Sequence, residues 1–279
     1  MRTPLQLSQG TVIETVTDLI LSRLQSTAHR PFVVGLCGAQ GSGKSTLAAA
    51  LRTKFEADGI ATAVLSLDDL YKTKAAREHL AATVHPLFST RGVPGTHDLD
   101  LAFEVFDCLN SGRPAQLPRF DKSRDDRRPE AEWETEEPST RVLIFEGWVV
   151  GARPTLKSVP HPLNDLEAIE DSHGIWRNTV AAALAGDYQR LFARIDLQVT
   201  LLAPSFEVVQ GWRTEQELML RARTGRGMTD KEVGRFIGYY ERLTRDTLRD
   251  AHLYSDVLIK MDEHRNYREI YFNPKADRR

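Results

Sequence analysis

Glycines at 38, 41 and 43, followed at once by Lys44 and Ser45, give the spacing G-x-x-x-x-G-K-S, which suits one task, the enclosure of a polyphosphate. Within Gly38-Ala39-Gln40-Gly41-Ser42-Gly43-Lys44-Ser45-Thr46 the glycines let backbone amides close on phosphate oxygens. Lys44 brings a mobile cation to the β- and γ-phosphates, Ser45 brings a hydroxyl to Mg²⁺, and a helix opening there turns its positive end toward the anion. Acidic residues at two strand ends fit the same chemistry. Asp68 and Asp69 follow Val64-Leu-Ser-Leu67, and Glu146 follows Val142-Leu-Ile-Phe145. One carboxylate beside a phosphate cradle can take the proton of an attacking hydroxyl, and another can hold a metal water opposite Ser45. Asp68 is the expected base and Glu146 the expected metal residue; Asp69 is a metal-shell, capping or acceptor residue. In the plainer alternative the Asp pair caps the next helix and Glu146 faces solvent at the sheet edge.

Two loop segments offer contacts to an acceptor. Arg91-Gly-Val-Pro-Gly-Thr-His97-Asp98 joins a cation to a His-Asp pair, and Pro118-Arg119-Phe-Asp121-Lys122-Ser123 holds two cations and a hydroxyl. Together with Asp69 and Tyr71 they suit a small anionic acceptor, because arginine binds a carboxylate with two parallel bonds and lysine with a point charge. Either segment alone reads equally well as a solvated loop. The run Asp125-Asp-Arg-Arg128 reads as a surface salt-bridge patch. Later, Trp212-Arg213 and Arg221-Ala-Arg223-Thr-Gly-Arg226-Gly227 place guanidiniums on a helix entering a glycine-flanked turn, the pattern of a hinged lid over residues 205–230. Arg221 is the expected transfer arginine, although a solvated helical face explains the charges as well. Trp133, Trp148, Trp176, Tyr239 and Tyr240 are expected to pack rather than to stack on a base.

The elements that must position these groups follow from periodicity. Residues 32–37 read as a buried strand, 44–57 as a helix with Leu47, Ala48, Leu51 and Phe55 on one face, and 61–67 as a second strand. This βαβ unit predicts a parallel sheet with its ligand at the carboxyl ends of the strands. Further strands are predicted at 141–146, 195–202 and 256–260, and helices at 11–25, 99–110, 164–194, 206–224 and 230–250. Residues 111–140 read as an extended surface loop, part of an acceptor-loop insertion over about 85–140. The expected whole is an α/β, three-layer P-loop NTPase-type sheet flanked by helices. It forms one domain over residues 1–279, with an N-terminal packing segment at 11–28.

Composition narrows the partners. The 279 residues are 41% hydrophobic, enough for a sizeable core, and the net charge of −2 favours neither nucleic acid nor a membrane surface. The first residues lack an apolar signal core and no segment suits a bilayer span, so a soluble, cytoplasmic protein is expected. Cys37 and Cys108 read as reduced core thiols, and no Cys/His spacing suits zinc.

These motifs resemble the P-loop D-glycerate 3-kinases, a branch related to uridine kinase, phosphoribulokinase and pantothenate kinase. The anchors are Gly38–Thr46, Ser66-Leu-Asp68-Asp69-Leu-Tyr71, the two loop segments, Phe145-Glu146-Gly147-Trp148 with Gly151, and Gly227-Met-Thr-Asp-Lys-Glu-Val-Gly-Arg-Phe236. The resemblance spans most of residues 32–265. It implies transfer of a phosphoryl group from MgATP to the 3-hydroxyl of D-glycerate. Asp68 would be the base, Lys44 and Ser45 the phosphate and metal contacts, Glu146 the second metal residue, and Arg91, His97, Asp98 and Lys122 the acceptor site. The chain departs from that family at Val93-Pro94 and at Ser123-Arg-Asp-Asp-Arg127, both near the acceptor. Two other readings remain open: a uridine- or pantothenate-type kinase, and a regulatory nucleotide-binding ATPase that acts without a small acceptor.

Overall fold

In the computed structural model, residues 7–24, 30–154, 161–224 and 227–273 are described. In chain order, helix α1 (Gln9–Leu24) precedes strand β1 (Phe32–Gly38), helix α2 (Lys44–Ala57) and strand β2 (Thr62–Ser66). Helices α3 (Lys74–Thr83) and α4 (Leu99–Asn110) lead to short strands β3 (Ala115–Leu117), β4 (Phe120–Asp121), β5 (Asp126–Arg127) and β6 (Glu134–Glu136). Strand β7 (Val142–Gly147), helices α5 (Ile175–Ala185) and α6 (Asp187–Phe192), and strand β8 (Leu197–Leu202) follow. Helices α7 (Phe206–Thr224) and α8 (Asp230–Tyr254) and strands β9 (Val257–Met261) and β10 (Tyr267–Phe272) complete the chain.

Six strands form one sheet in the order β10-β9-β8-β1-β7-β2, parallel except for β10. Alternation along the strands builds a layer on each face. Val33, Leu143 and Phe145 pack with Val105 and Phe106 of α4, Leu184 of α5 and Tyr239 of α8. Val34, Leu36, Val142 and Ile144 pack with Val12, Val16 and Ile20 of α1 and Leu47, Leu51 and Phe55 of α2. The three-layer α/β architecture expected from the sequence is therefore present, with helices on both faces of a mainly parallel sheet.

Three segments differ from the expectation. Strand β10 adds an antiparallel edge that no periodic signal announced. Residues 111–140 are not a plain loop: β3 pairs with β6 and β4 with β5 in two small antiparallel ribbons. The region 164–194 is divided into a π-helical turn (Leu166–Glu170), α5 and α6. Residues 25–28 of the expected packing segment, the Arg223 side chain, and Gly225 and Arg226 of the expected lid lie outside what is described. No described helix is long and apolar enough to cross a membrane.

Candidate active site

Strand β1 sits near the middle of the sheet and ends in the glycine loop, which places the loop at the carboxyl edge where neighbouring strands also deliver their last residues. Gly41 and Gly43 adopt left-handed backbone conformations, with φ of +78° and +81°. A Cβ on Gly41 would also lie 2.9 Å from Cβ of Trp212, so helix α7 packs directly on the loop. Gly43 is the N-cap of α2 and supplies no side-chain cap, which leaves the first amides of that helix for an anion. Among the described residues Lys44 makes no ion pair, and it lines a cleft of about 380 Å³ with Gln40, Ser45 and Thr46.

The acids arrive from the two strands beyond β1. Strand β7 ends so that Ser45 Oγ donates to Glu146 Oε1 at 2.9 Å, while Glu146 Oε2 is buried with no partner. A hydroxyl beside a carboxylate whose second oxygen is orphaned is a donor set that fits the Mg²⁺ accompanying a nucleoside triphosphate. Strand β2 ends at Ser66, whose hydroxyl caps a 3-10 turn (Leu67–Leu70) by accepting from Asp68 N. That turn presents Asp68 to the cleft. Its Oδ1 accepts from the Tyr71 hydroxyl at 2.8 Å, and its Oδ2 pairs with Lys122 Nζ at 2.7 Å. Burial pushes this carboxyl up, but the charges of Lys122 and Lys44 and the two hydrogen bonds outweigh it and hold the group down at about 2.

Arg91 and Lys122 line the same cleft, together with Tyr71. Arg91 pairs with Asp125 and lies over the Phe120 ring, 5.4 Å from its centroid. The fully buried Arg77 fixes this wall by donating to the carbonyls of Ser89 (2.8 Å) and Asp125 (2.6 Å). Asp125–Arg128 is therefore more than a surface charge patch: Asp125 anchors Arg91 and Arg77, and Arg127 pairs with Asp98 at 2.8 Å.

Four expected acceptor residues stand behind the wall, outside the cleft lining. Asp69 accepts from Phe120 N at 3.0 Å and faces Arg119, whose other nitrogen pairs with Glu134 at 2.8 Å. Asp98 caps α4 by accepting from Leu101 N and holds Arg127. His97 is buried, with its ring stacked on Tyr71 at 4.6 Å between centroids and Nδ1 2.5 Å from the Tyr188 hydroxyl. Burial drives its imidazole down to about 3, so it is neutral at physiological pH. The placement makes these residues supports for Tyr71, Phe120 and the loops: Asp69, Asp98 and Arg119 are bonded within the protein, and His97 is held through Nδ1 and its ring, with Nε2 buried and unpartnered.

Arg221 also lies elsewhere than expected. It pairs with Asp230 at 2.7 Å and does not line the cleft, whereas Arg213, nearer the start of α7, does. Arg213 is held by Glu217 and lies over the Phe236 ring, 5.1 Å from its centroid. Trp148 and Tyr240, expected only as packing residues, line the cleft as well. The Trp148 indole donates to Gly92 O at 2.9 Å, and the two rings meet edge to face at 4.8 Å. Gly92, with φ of +138°, lies so close to Tyr240 that a Cβ would be 2.2 Å from its hydroxyl. The thiols fit their expected role: Cys37 is buried and its pKa is pushed up to about 12 by burial, and neither cysteine is in a disulfide.

A parallel sheet that delivers a glycine cradle from its central strand and carboxylates from the adjacent strand tips defines a P-loop phosphotransferase. Comparison with known proteins agrees. Residues 33–158 match the model of the Phosphoribulokinase / Uridine kinase family. The chain is 37% identical to the kinase mug58 of Schizosaccharomyces pombe, over 82% of this chain and 86% of that protein. It is 30% identical to a chloroplastic D-glycerate 3-kinase of Arabidopsis thaliana over 75% of this chain, spanning 46% of that longer protein. The solved D-glycerate 3-kinase from Cryptococcus neoformans superimposes with a TM-score of 0.76 at 26% identity, covering 94% of this chain and 99% of that one. The YGR205w protein superimposes equally well, with a TM-score of 0.76 and 27% identity over 95% and 98% of the two chains. The chain belongs to the phosphoribulokinase/uridine kinase family of P-loop kinases.

Proposed function

We propose that this protein transfers the γ-phosphate of ATP to a hydroxyl of a small hydroxy acid, with D-glycerate as the acceptor and 3-phosphoglycerate as the product. The observation that carries this reading is Asp68, a carboxylate at the tip of β2 that shares one cleft with Lys44 and Ser45 of the cradle and with the cations Arg91, Lys122 and Arg213. Asp68 is the only carboxylate among the described residues lining that cleft, so its field suits two anions, a polyphosphate and an acidic acceptor. That D-glycerate 3-kinases are among the relatives favours glycerate within that class.

In this scheme the triphosphate lies on the amides of Gly38–Thr46, with Lys44 on its outer phosphates. Ser45 and Glu146 would hold the Mg²⁺ that travels with ATP, which when bound neutralises charge on the phosphate oxygens. Asp68 accepts the proton of the acceptor hydroxyl as its oxygen bonds to the γ-phosphorus and the bond to the ADP oxygen breaks. Arg213 supplies positive charge to the phosphoryl group in flight, and closure of α7 over the cleft keeps water away. ATP, the acceptor and Mg²⁺ are the partners this requires.

The test is ADP release measured by a coupled assay against D-glycerate, uridine, pantothenate and no acceptor, with the position of the new phosphate read on the product. D-glycerate should stimulate release and be phosphorylated on its 3-hydroxyl. Stimulation by uridine or pantothenate instead would move the acceptor assignment, and hydrolysis indifferent to every alcohol would replace the kinase reading with that of a switch ATPase.

A further inference from the structure

Both oxygens of Asp68 are occupied, by partners of very different freedom. Tyr71, on Oδ1, is buried, stacked on His97 and held edge to face by Phe120 at 5.2 Å. Lys122, on Oδ2, is 61% exposed and projects from the turn between the two-residue strands β4 and β5. The backbone of that turn is fixed by Asp121, whose Oδ1 accepts from Ser123 N, Ser123 Oγ and Arg124 N. What can move is the lysine side chain, not the loop that carries it. Oδ1 is turned to the buried rings, so an acceptor hydroxyl that gives its proton to Asp68 meets it on the Oδ2 side, where the Lys122 ammonium sits.

We propose that Lys122 is a latch on the base, released by the negative charge of the acceptor. The idea rests on the reading that the acceptor is a hydroxy acid, and it explains how the cleft would refuse neutral alcohols of the same size. The carboxylate of the acceptor offers Lys122 a second anion at the solvent side of the cleft, beside Arg91, which Asp125 holds in place. When Lys122 turns to it, Oδ2 is free. The acceptor O–H proton then passes to Oδ2, the oxygen lone pair bonds to the γ-phosphorus, and the electron pair of the broken P–O bond leaves with ADP. A neutral alcohol leaves Lys122 on Oδ2, where the ammonium crowds the oxygen and lowers its basicity, so proton transfer is slow. Lys122 is thus a specificity residue acting through Asp68, in addition to any direct hold on the acceptor.

The experiment compares wild type, Lys122→Met and Lys122→Arg on ATP alone, on D-glycerate and on glycerol, which replaces the carboxylate with a hydroxymethyl group. Wild type should turn over glycerol about 100-fold more slowly than D-glycerate at saturation, the scale of a lost general base. Lys122→Met should raise KM for D-glycerate, yet increase kcat on glycerol by about tenfold and increase acceptor-independent ATP hydrolysis. Lys122→Arg should keep the wild-type preference, and acetate should stimulate wild-type hydrolysis of ATP. The side chain is exposed, so circular dichroism should match wild type and melting should fall only slightly, by the loss of one solvent-screened pair. A Lys122→Met protein whose glycerol turnover and ATP hydrolysis are unchanged or lower overturns the latch, and an equal fall of kcat on every acceptor would make Lys122 a phosphate contact instead. The ATP hydrolysis arm needs no acceptor, so it judges the latch even if D-glycerate gives no turnover, a result that would sink only the acceptor assignment.

Discussion

The hydroxyl of Tyr71 donates to the carboxylate of Asp68, three residues earlier, across 2.8 Å at the end of a single 3-10 turn. A local bond of this kind fixes the carboxylate rotamer before any ligand enters, and the stack of Tyr71 on the neutral His97 fixes the phenol in turn. The proposed base is therefore oriented by a column of buried rings, in which His97 and Phe120 come from the two loop segments.

The charges of Lys122 and Lys44, with a smaller part from the Tyr71 bond, set a pH dependence. With its pKa held at about 2, below the ordinary carboxylate range, Asp68 is ionised throughout the neutral and mildly acidic range. Its contribution to folding stability is complete above its unfolded pKa and is lost as pH falls through the folded value. Tyr71→Phe removes one of the bonds that lower the pKa, so the acid limb of kcat/KM should move upward and kcat should drop. Asp68→Asn should abolish turnover while ATP still binds, as read by calorimetry. Full activity of Asp68→Asn on D-glycerate would remove the base from the scheme.

Lys44→Ala should weaken ATP binding and phosphoryl transfer together, because in the proposed scheme the cation would contact the same phosphates in ground and transition states. Unchanged KM for ATP and unchanged kcat would show that the glycine loop holds no triphosphate. Glu146→Gln should raise the Mg²⁺ concentration needed for half-maximal rate while leaving the fold intact, since Glu146 Oε2 is bonded to no other group.

The two arginines of α7 should separate cleanly. Arg213→Ala should lower kcat by about 10²–10³-fold, the loss typical of a donor aimed at developing charge. Arg221→Ala should lose, among the described residues, its pair with Asp230 and stay close to wild type. Equal defects in the two variants, measured by saturation kinetics, would mean that α7 shifts further on closing than this scheme allows.

Arg77→Met should destabilise the fold by about 2–3 kcal/mol, because a buried guanidinium bonded to carbonyls leaves them unpaired when it goes. It should also raise KM for the acceptor, since Asp125 anchors both Arg77 and Arg91. Chemical denaturation and steady-state kinetics together check this, and a stable protein with wild-type KM would contradict it.

Much of this was legible in the chain. The strand, glycine turn and helix around Lys44 obey local rules of period and capping, and helix α4 falls on the 99–110 segment that its apolar spacing marks out. The acids at strand ends were readable because a parallel sheet puts all such ends on one side. The choice between Arg213 and Arg221 was not, since eight residues are about 12 Å along a helix and periodicity says nothing of where α7 overlies the cleft. His97, Asp98 and Arg119 carry the right chemistry for an acceptor, yet Arg127 and Glu134 pair with Asp98 and Arg119, and burial against Tyr71 and Tyr188 holds His97 outside the cleft lining. Strand β10 escaped notice because its burial is slight beyond Tyr267 and it alternates weakly.

At the far end of the chain, the turn between β9 and β10 places Arg265 in a left-handed conformation, with φ of +66°. Its guanidinium donates to the carbonyl of Gly41 at 3.0 Å, pairs with Glu215 at 2.6 Å and lies over the ring of Trp212. One side chain thus ties the phosphate loop to helix α7 and to the β9–β10 turn. The phosphate loop therefore has this brace only when the β9–β10 hairpin is folded, which ties the grip on a polyphosphate to the antiparallel edge of the sheet.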